Sequence, residues 1–180
     1  SLKNLPNNKL NHYSHSRGLI SLRRKISEYY YKNFDYRFDP ETEILITAGS
    51  KAAIFLSLKS ILNHGDEVII LEPFWVSFSE QIKLCGAKPI FVPHFVSIYD
   101  VKKNLNKKTK AIIINSPNNP SGKIYSFEEL DYLYELSVAN NIFCISDEAY
   151  SDFMPKDKKF LTLGNFEEKK KNLIITNYLP

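Results

Sequence analysis

The chain has 180 residues, a net charge of +4, a hydrophobic fraction of 43% and a charged fraction of 24%, the make-up of one soluble globular domain with a core of its own. No apolar run is long enough to span a bilayer and no basic-plus-apolar leader opens the chain, so a cytoplasmic protein without a membrane partner is expected. The lysines come in short clusters mixed with acids, which reads as solvated faces rather than a nucleic-acid stripe. Cys85 and Cys144 lie far apart in apolar segments and are expected to be buried thiols, not a disulfide or a metal pair.

In chain order, Leu19, Leu22, Ile26, Tyr29 and Tyr30 recur at helical spacing, which predicts a helix from Gly18 to Lys32. Glu43 to Thr47 reads as a short strand. After Gly49, the stretch Ser50 to Leu62 is apolar on one helical face and stops at the glycine turn Asn63-His64-Gly65-Asp66. Glu67 to Leu71 is an apolar strand, Phe74 to Cys85 a helix closed by Gly86, and Lys88 to Val92 another strand. Ser97 to Leu105 reads as helical and Ala111 to Ile114 as a strand. Ser126 and Glu129 form a capping box for a helix through Leu130, Leu133, Leu136 and Val138. Ile142 to Ser146 and Leu173 to Thr176 are the last strands, and Asp152 to Lys171 is the weakest-ordered part by composition. Short apolar strands alternating with helices predict an α/β fold: a mostly parallel sheet in three α/β/α layers, with no internal repeat and no linker. Both ends read as cut, since Ser1 to Leu10 has no clean structural start and Pro180 follows a strand where a functional loop is expected.

Four segments beside the strands carry chemistry. Asn115 to Lys123 is rich in Asn, Pro, Ser and Gly, hence stiff and polar, and follows a strand, where ligands bind in α/β proteins; by composition it is equally a surface turn. Ala48-Gly49-Ser50-Lys51 opens a helix with backbone amides, a glycine and a hydroxyl, an anion site that suits phosphate, or simply a capped helix. It is not a Walker loop, because the upstream glycine is absent. In Glu72-Pro73-Phe74-Trp75 the single tryptophan offers a flat face to a planar ring, with a core aromatic as the plainer reading. In Asp147-Glu148-Ala149-Tyr150, an acid ending an apolar strand needs a cation or donors, and a protonated ring nitrogen is one such cation; a strand-end acid capping the next turn is the alternative. A phosphate cradle, a stacking ring, an amide (Asn119) for a phenolic oxygen and a carboxylate for a ring nitrogen are together what pyridoxal 5′-phosphate (PLP) requires.

These segments, with Ile46-Thr47-Ala48-Gly49-Ser50-Lys51 and Gly65-Asp66-Glu67-Val68, occur in the order and spacing of a known family. The chain resembles the large domain of fold-type I PLP enzymes, in particular the class I/II aminotransferases related to aspartate aminotransferase, over nearly its whole length. The resemblance implies that Gly49, Ser50 and Lys51 meet the cofactor phosphate and that Trp75 stacks on the pyridine ring. It implies that Asn119 and Tyr150 bond the ring's 3′-oxygen and that Asp147 pairs with the pyridine nitrogen. His12-Tyr13-Ser14 with Gly18 looks like the segment whose tyrosine reaches the phosphate of the neighbouring subunit, which makes Tyr13 a cross-dimer contact and the protein a homodimer.

The departures are equally specific. The family's Schiff-base lysine, expected just beyond Asn177-Tyr178-Leu179-Pro180, is not in this chain, so no catalytic residue is assigned. The arginine that completes the phosphate site, the small C-terminal domain and the N-terminal arm are absent as well. The expectation is a partial PLP-binding large domain over 1–180, from an enzyme that passes an amino group from an amino acid to a 2-oxo acid, the chain alone being inactive. A C–S lyase or another fold-type I PLP enzyme is the alternative within the fold. A non-catalytic remnant acting through dimerisation is the alternative outside it, and a nucleotide-binding domain rests only on Gly49-Ser50-Lys51.

Overall fold

A computed structural model describes residues 13, 15–155, 159–166 and 172–178. The expectations for Ser1 to Leu10, His12, Ser14 and Leu179-Pro180 lie outside the described residues, as do 156–158 and 167–171. The chain divides into two compact units, one ending at Thr47 and one beginning at Ala48.

The first unit is built on helix α1, Ile20–Phe34, which ends where Asp35 turns left-handed at φ 56°. It starts after Gly18 rather than at it, because Gly18 sits at φ +89° and a Cβ there would lie 2.6 Å from Ile46. Arg23, 2% exposed, has its charge enclosed by backbone carbonyls: it donates to Gly18 O at 3.2 Å, to Glu41 O at 3.3 Å and to Pro40 O. Tyr30, Phe34 and Phe38 pack edge to face beside it. Glu43 to Thr47, expected as a strand, is not one. Ile46 N–H donates to Arg17 O at 3.1 Å and Ile44 is buried, but among the described residues no strand runs beside the segment, and a ladder needs two chains.

The second unit holds a five-stranded sheet in the order β2-β1-β3-β4-β5, every pair parallel. The strands are β1 (Glu67–Leu71), β2 (Lys88–Val92), β3 (Thr109–Asn115), β4 (Phe143–Asp147) and β5 (Leu173–Thr176). Side-chain alternation assigns each strand residue to a face. Val68, Ile70, Ala111, Ile113 and Ile145 pack with α2 (Ser50–Ile61) and α3 (Ser77–Leu84), through Ile54, Leu58, Phe78 and Ile82. Ile69, Leu71, Ile112, Ile114 and Cys144 pack on the other face with α4 (Phe127–Ala139) and the 3-10 helix Ile98–Asn104, through Leu130, Leu133, Tyr134 and Val101. The three expected layers are present. Burying one isoleucine side chain contributes about 2 kcal/mol, so these two clusters supply most of the driving force for the unit.

The chain runs outward from β1 to β2 and then returns across β1 to β3, so the strand order reverses between β1 and β3. Such a switch point opens a crevice at the carboxyl ends of the strands. The capping box forms as expected, with Glu129 N–H on Ser126 Oγ at 3.2 Å and Ser126 N–H on Glu129 Oε2 at 2.9 Å. Helix α3 starts at Ser77 rather than Phe74, because Pro73 and the aromatics after it form a bend held by Phe78 N–H on Trp75 O at 3.0 Å. Asp152 to Lys171, expected to be the least ordered part, is anchored where it is described. Phe160, Thr162 and Leu163 are buried, and Phe166 stacks on Phe127 with centroids 4.7 Å apart. Cys85 and Cys144 are free and buried, as expected. Among the described residues no helix is long and apolar enough to cross a membrane, and no group of His, Cys, Asp and Glu is placed to hold a metal.

Candidate cofactor-binding site

The strand ends converge on a hydrogen-bonded chain of side chains. Parallel register sets Asn115, Asp147 and Thr176 side by side as the last residues of β3, β4 and β5. Asn115 is the clamp. Its Nδ2 donates to Asp147 O at 3.0 Å, and its Oδ1 accepts from Asn119 N–H at 2.7 Å. The loop after β3 is therefore tied to the end of β4, and Asn119 Nδ2 in turn reaches Tyr150 OH at 3.2 Å. Asn118 closes the switch point by donating from Nδ2 to Pro73 O at 3.1 Å, across 45 residues of sequence. Within the loop, Gly122 takes the expected positive φ, +70°.

Asp147 is 5% exposed. Its Oδ1 accepts from Ala149 N–H and from Thr176 Oγ1, both at 3.3 Å. Burial pushes its carboxyl up to about 6, against the two donors, which pull it down. No salt bridge among the described residues involves it. An acid in this state is stabilised by an incoming cation.

The phosphate-type segment sits at the start of α2. Gly49 is the N-cap at φ 84°, no side chain caps the helix, and a Cβ on Gly49 would meet nothing within 4 Å. The positive end of the helix favours an anion, and the missing side chain of Gly49 leaves room for one to approach. Lys51 Nζ lies 5.1 Å from the Trp75 ring centroid, a cation–π distance, and Gln81 on α3 fixes this turn by donating to Lys51 O at 3.0 Å. Trp75 is half-buried, its ring perpendicular to that of Phe78 with centroids 5.5 Å apart.

Of the residues expected from sequence, the second unit brings Asn119 together with Tyr150 and ties both to Asp147, and it brings Lys51 together with Trp75. Tyr13 belongs to the first unit and is fully exposed. A separate crevice of about 810 Å³ opens between Glu72–Phe74 and Pro93–His94, and none of the expected site residues lines it. Asn115, Asn118 and Thr176 were missed as site residues. The signal for Asn115 and Thr176 was present, since each, like Asp147, is a polar residue ending an apolar strand.

These groups match the cofactor's requirements on this structure's own terms. Among the described residues a buried acid has no ion-pair partner, two polar tips bond each other, and a helix N-terminus without a side-chain cap stands beside a lysine and a flat ring. The sequence profile described as "Aminotransferase class I and II" matches residues 2–177. The chain is 41% identical to a probable aspartate/prephenate aminotransferase of Aquifex aeolicus, over 91% of this chain and 43% of that protein. It is 33% identical to human kynurenine–oxoglutarate transaminase 3, over 87% of this chain and 38% of that protein. Among solved structures, N-succinyldiaminopimelate aminotransferase from Mycobacterium tuberculosis superposes with a TM-score of 0.87 at 31% identity, over 94% of this chain and 46% of that one. The chain thus spans less than half the length of the proteins it matches. On these observations it belongs to the class I and II aminotransferases, the fold-type I PLP family.

Proposed function

We propose that this chain forms the cofactor-binding half of a PLP-dependent aminotransferase that moves an amino group from an amino acid to a 2-oxo acid. The observation that carries the reading is Asp147, a buried acid with no ion-pair partner among the described residues, linked through Asn115 and Asn119 to Tyr150. Asp147 would hold a proton on the pyridine nitrogen. Asn119 and Tyr150 would turn their polar tips from each other to the ring's 3′-oxygen, and Trp75 would cover one face of the ring. Gly49, Ser50 and Lys51 would hold the phosphate at the start of α2. When bound, the cofactor supplies an electron sink for the pair left on Cα as its proton departs. Asp147 serves that chemistry by keeping the ring nitrogen positively charged, and its burial excludes the water that would weaken the pairing.

The unit is proposed to be a homodimer in which Tyr13 of one subunit serves the phosphate of the other, a reading supported by the full exposure of Tyr13. The matched relatives act on different amino acids, so the substrate is proposed only as a class. The test is an assay of the full protein with PLP, an amino acid and a 2-oxo acid. Appearance of the new amino acid, dependent on the 2-oxo acid, supports the reading. Release of pyruvate from a sulfur amino acid without a 2-oxo acid makes the protein a C–S lyase instead.

A further inference from the structure

Next to Asp147 stands a second buried acid that the cofactor site does not use. Glu148 is 2% exposed. Three donors converge on its Oε1: Ser146 Oγ, Thr162 Oγ1 and Leu163 N–H, each at 3.1 Å. Its other oxygen, Oε2, is buried and has no hydrogen-bond partner among the described residues. This asymmetry is informative. An ionised carboxylate spreads its charge over both oxygens, and leaving one of them dry and unpartnered is costly. A neutral acid with its hydrogen on Oε2 removes that charge and keeps Oε1 as a carbonyl-like acceptor, although the three donors by themselves pull toward the ionised form.

The groups facing it leave the same form favoured. Asp147 on β4 disfavours a second negative charge, Cys144 is a neutral buried thiol, the donors from Ser146 and the 162–163 segment are uncharged, and among the described residues no lysine or arginine pairs with it. Burial pushes its carboxyl up to about 7, against the three donors.

Glu148 also lies where it can transmit order. Thr162 caps the short 3-10 helix Leu163–Asn165, and Leu163, 1% exposed, is part of the core on the α4 face. At the other end, Glu148 N–H donates to Thr176 O at 2.8 Å and Glu148 O accepts from Ser151 N–H at 2.9 Å. The same residue therefore fixes the turn that carries Asp147 on one side and Tyr150 on the other. We propose that Glu148 is a positioning residue: with its proton on Oε2, it ties the strap at Thr162–Leu163 to the end of β4 and so sets the turn that presents Asp147 and Tyr150 to the cofactor. The second half of this statement rests on the proposed cofactor reading; the first half does not.

The test compares wild type, Glu148→Gln, Glu148→Ala and Thr162→Val in the full protein. Amide hydrogen exchange is followed at 162–165, and PLP affinity by fluorescence titration. Glu148→Ala is expected to speed exchange at 162–165 by about tenfold or more and to weaken PLP binding by a similar factor. Glu148→Gln keeps the acceptor and the shape of the neutral acid, so it restores both values at pH 6. Wild-type protection, corrected for intrinsic exchange, falls as pH rises through about 7, and in Glu148→Gln that fall disappears. Thr162→Val removes one donor and leaves the acid in place; it loosens the strap even if Glu148→Ala does not fold. Unchanged exchange in Glu148→Ala, or in Thr162→Val, overturns the tie. Glu148→Gln behaving like Glu148→Ala overturns the neutral acid. If wild type binds no PLP, the cofactor reading fails, and the exchange results still decide the tie.

Discussion

Two acids stand side by side at the end of one strand, and they are managed in opposite ways. Glu148 is enclosed: three donors at 3.1 Å meet one of its oxygens, and the strap at 162–166 closes over it. Asp147 is buried as well, yet it has only two long donors at 3.3 Å, and its neighbours lead through Asn115 to the polar pair Asn119 and Tyr150. The contrast teaches that burial alone does not mark a functional acid. What separates them is that a strap encloses Glu148, while the groups around Asp147 lead outward to the polar pair Asn119 and Tyr150.

The largest way to break this comparison is to remove Asp147. Asp147→Ala is expected to lower kcat/KM for transamination by about 10²–10³-fold, the range for losing one preorganised electrostatic partner, measured on the full protein with saturating PLP. If Asp147→Ala and Glu148→Gln reduce activity equally, the assigned division of roles is wrong.

The next effect is on stability against pH. Both acids hold their protons in the folded state to higher pH than when unfolded: Asp147 from 3.8 to about 6, and Glu148 from 4.5 to about 7. Between those values the folded state binds more protons, so stability is fully present at low pH, falls as pH rises through the window, and levels off above it. Glu148 alone accounts for a fall of about 3 kcal/mol, to be read from urea unfolding between pH 4.5 and 8. Glu148→Gln removes the part of the fall nearest pH 7. Saturating PLP sharpens the comparison: a cation against Asp147 lowers its pKa and cancels its part, while the part from Glu148 remains.

Smaller effects follow from the polar pair. Asn119→Ala and Tyr150→Phe should each weaken PLP binding by about fivefold, roughly 1 kcal/mol for one hydrogen bond, and the double variant should lose less than the sum because the two side chains share a contact. Thr176→Val, which removes one long donor from Asp147, is expected to cost about 0.5–1 kcal/mol in stability at pH 8 and less at pH 5.

Much of this was legible in the sequence, for local reasons. β1 and β5 match their expected bounds because continuous apolar runs are bounded by polar turns, and the Ser126–Glu129 box is written in four residues. Asp147 stood out because a polar group ending an apolar strand needs a partner, whereas Asn119 and Tyr150 were read from the hydrogen bonds their side chains can make and from the family resemblance. What was not legible depends on register and on distant chain. The clamp by Asn115 exists because β3 and β4 pair in one particular alignment, and Glu148 gains its meaning from Thr162, 14 residues on. Glu43 to Thr47 had a strand's composition, but composition does not supply a neighbouring strand. The segment before α3 had helical composition, but Pro73 and the Trp75 bend delay the start.

The most direct test of the central claim uses the single tryptophan of this chain. PLP is titrated into the wild-type protein and into Asp147→Asn at pH 7.5, with Trp75 emission as the readout. The account predicts saturable quenching in the wild type and binding at least tenfold weaker in Asp147→Asn, with the helical and strand content unchanged by circular dichroism. Equal affinity in the two proteins, or no saturable quenching in the wild type, would contradict it.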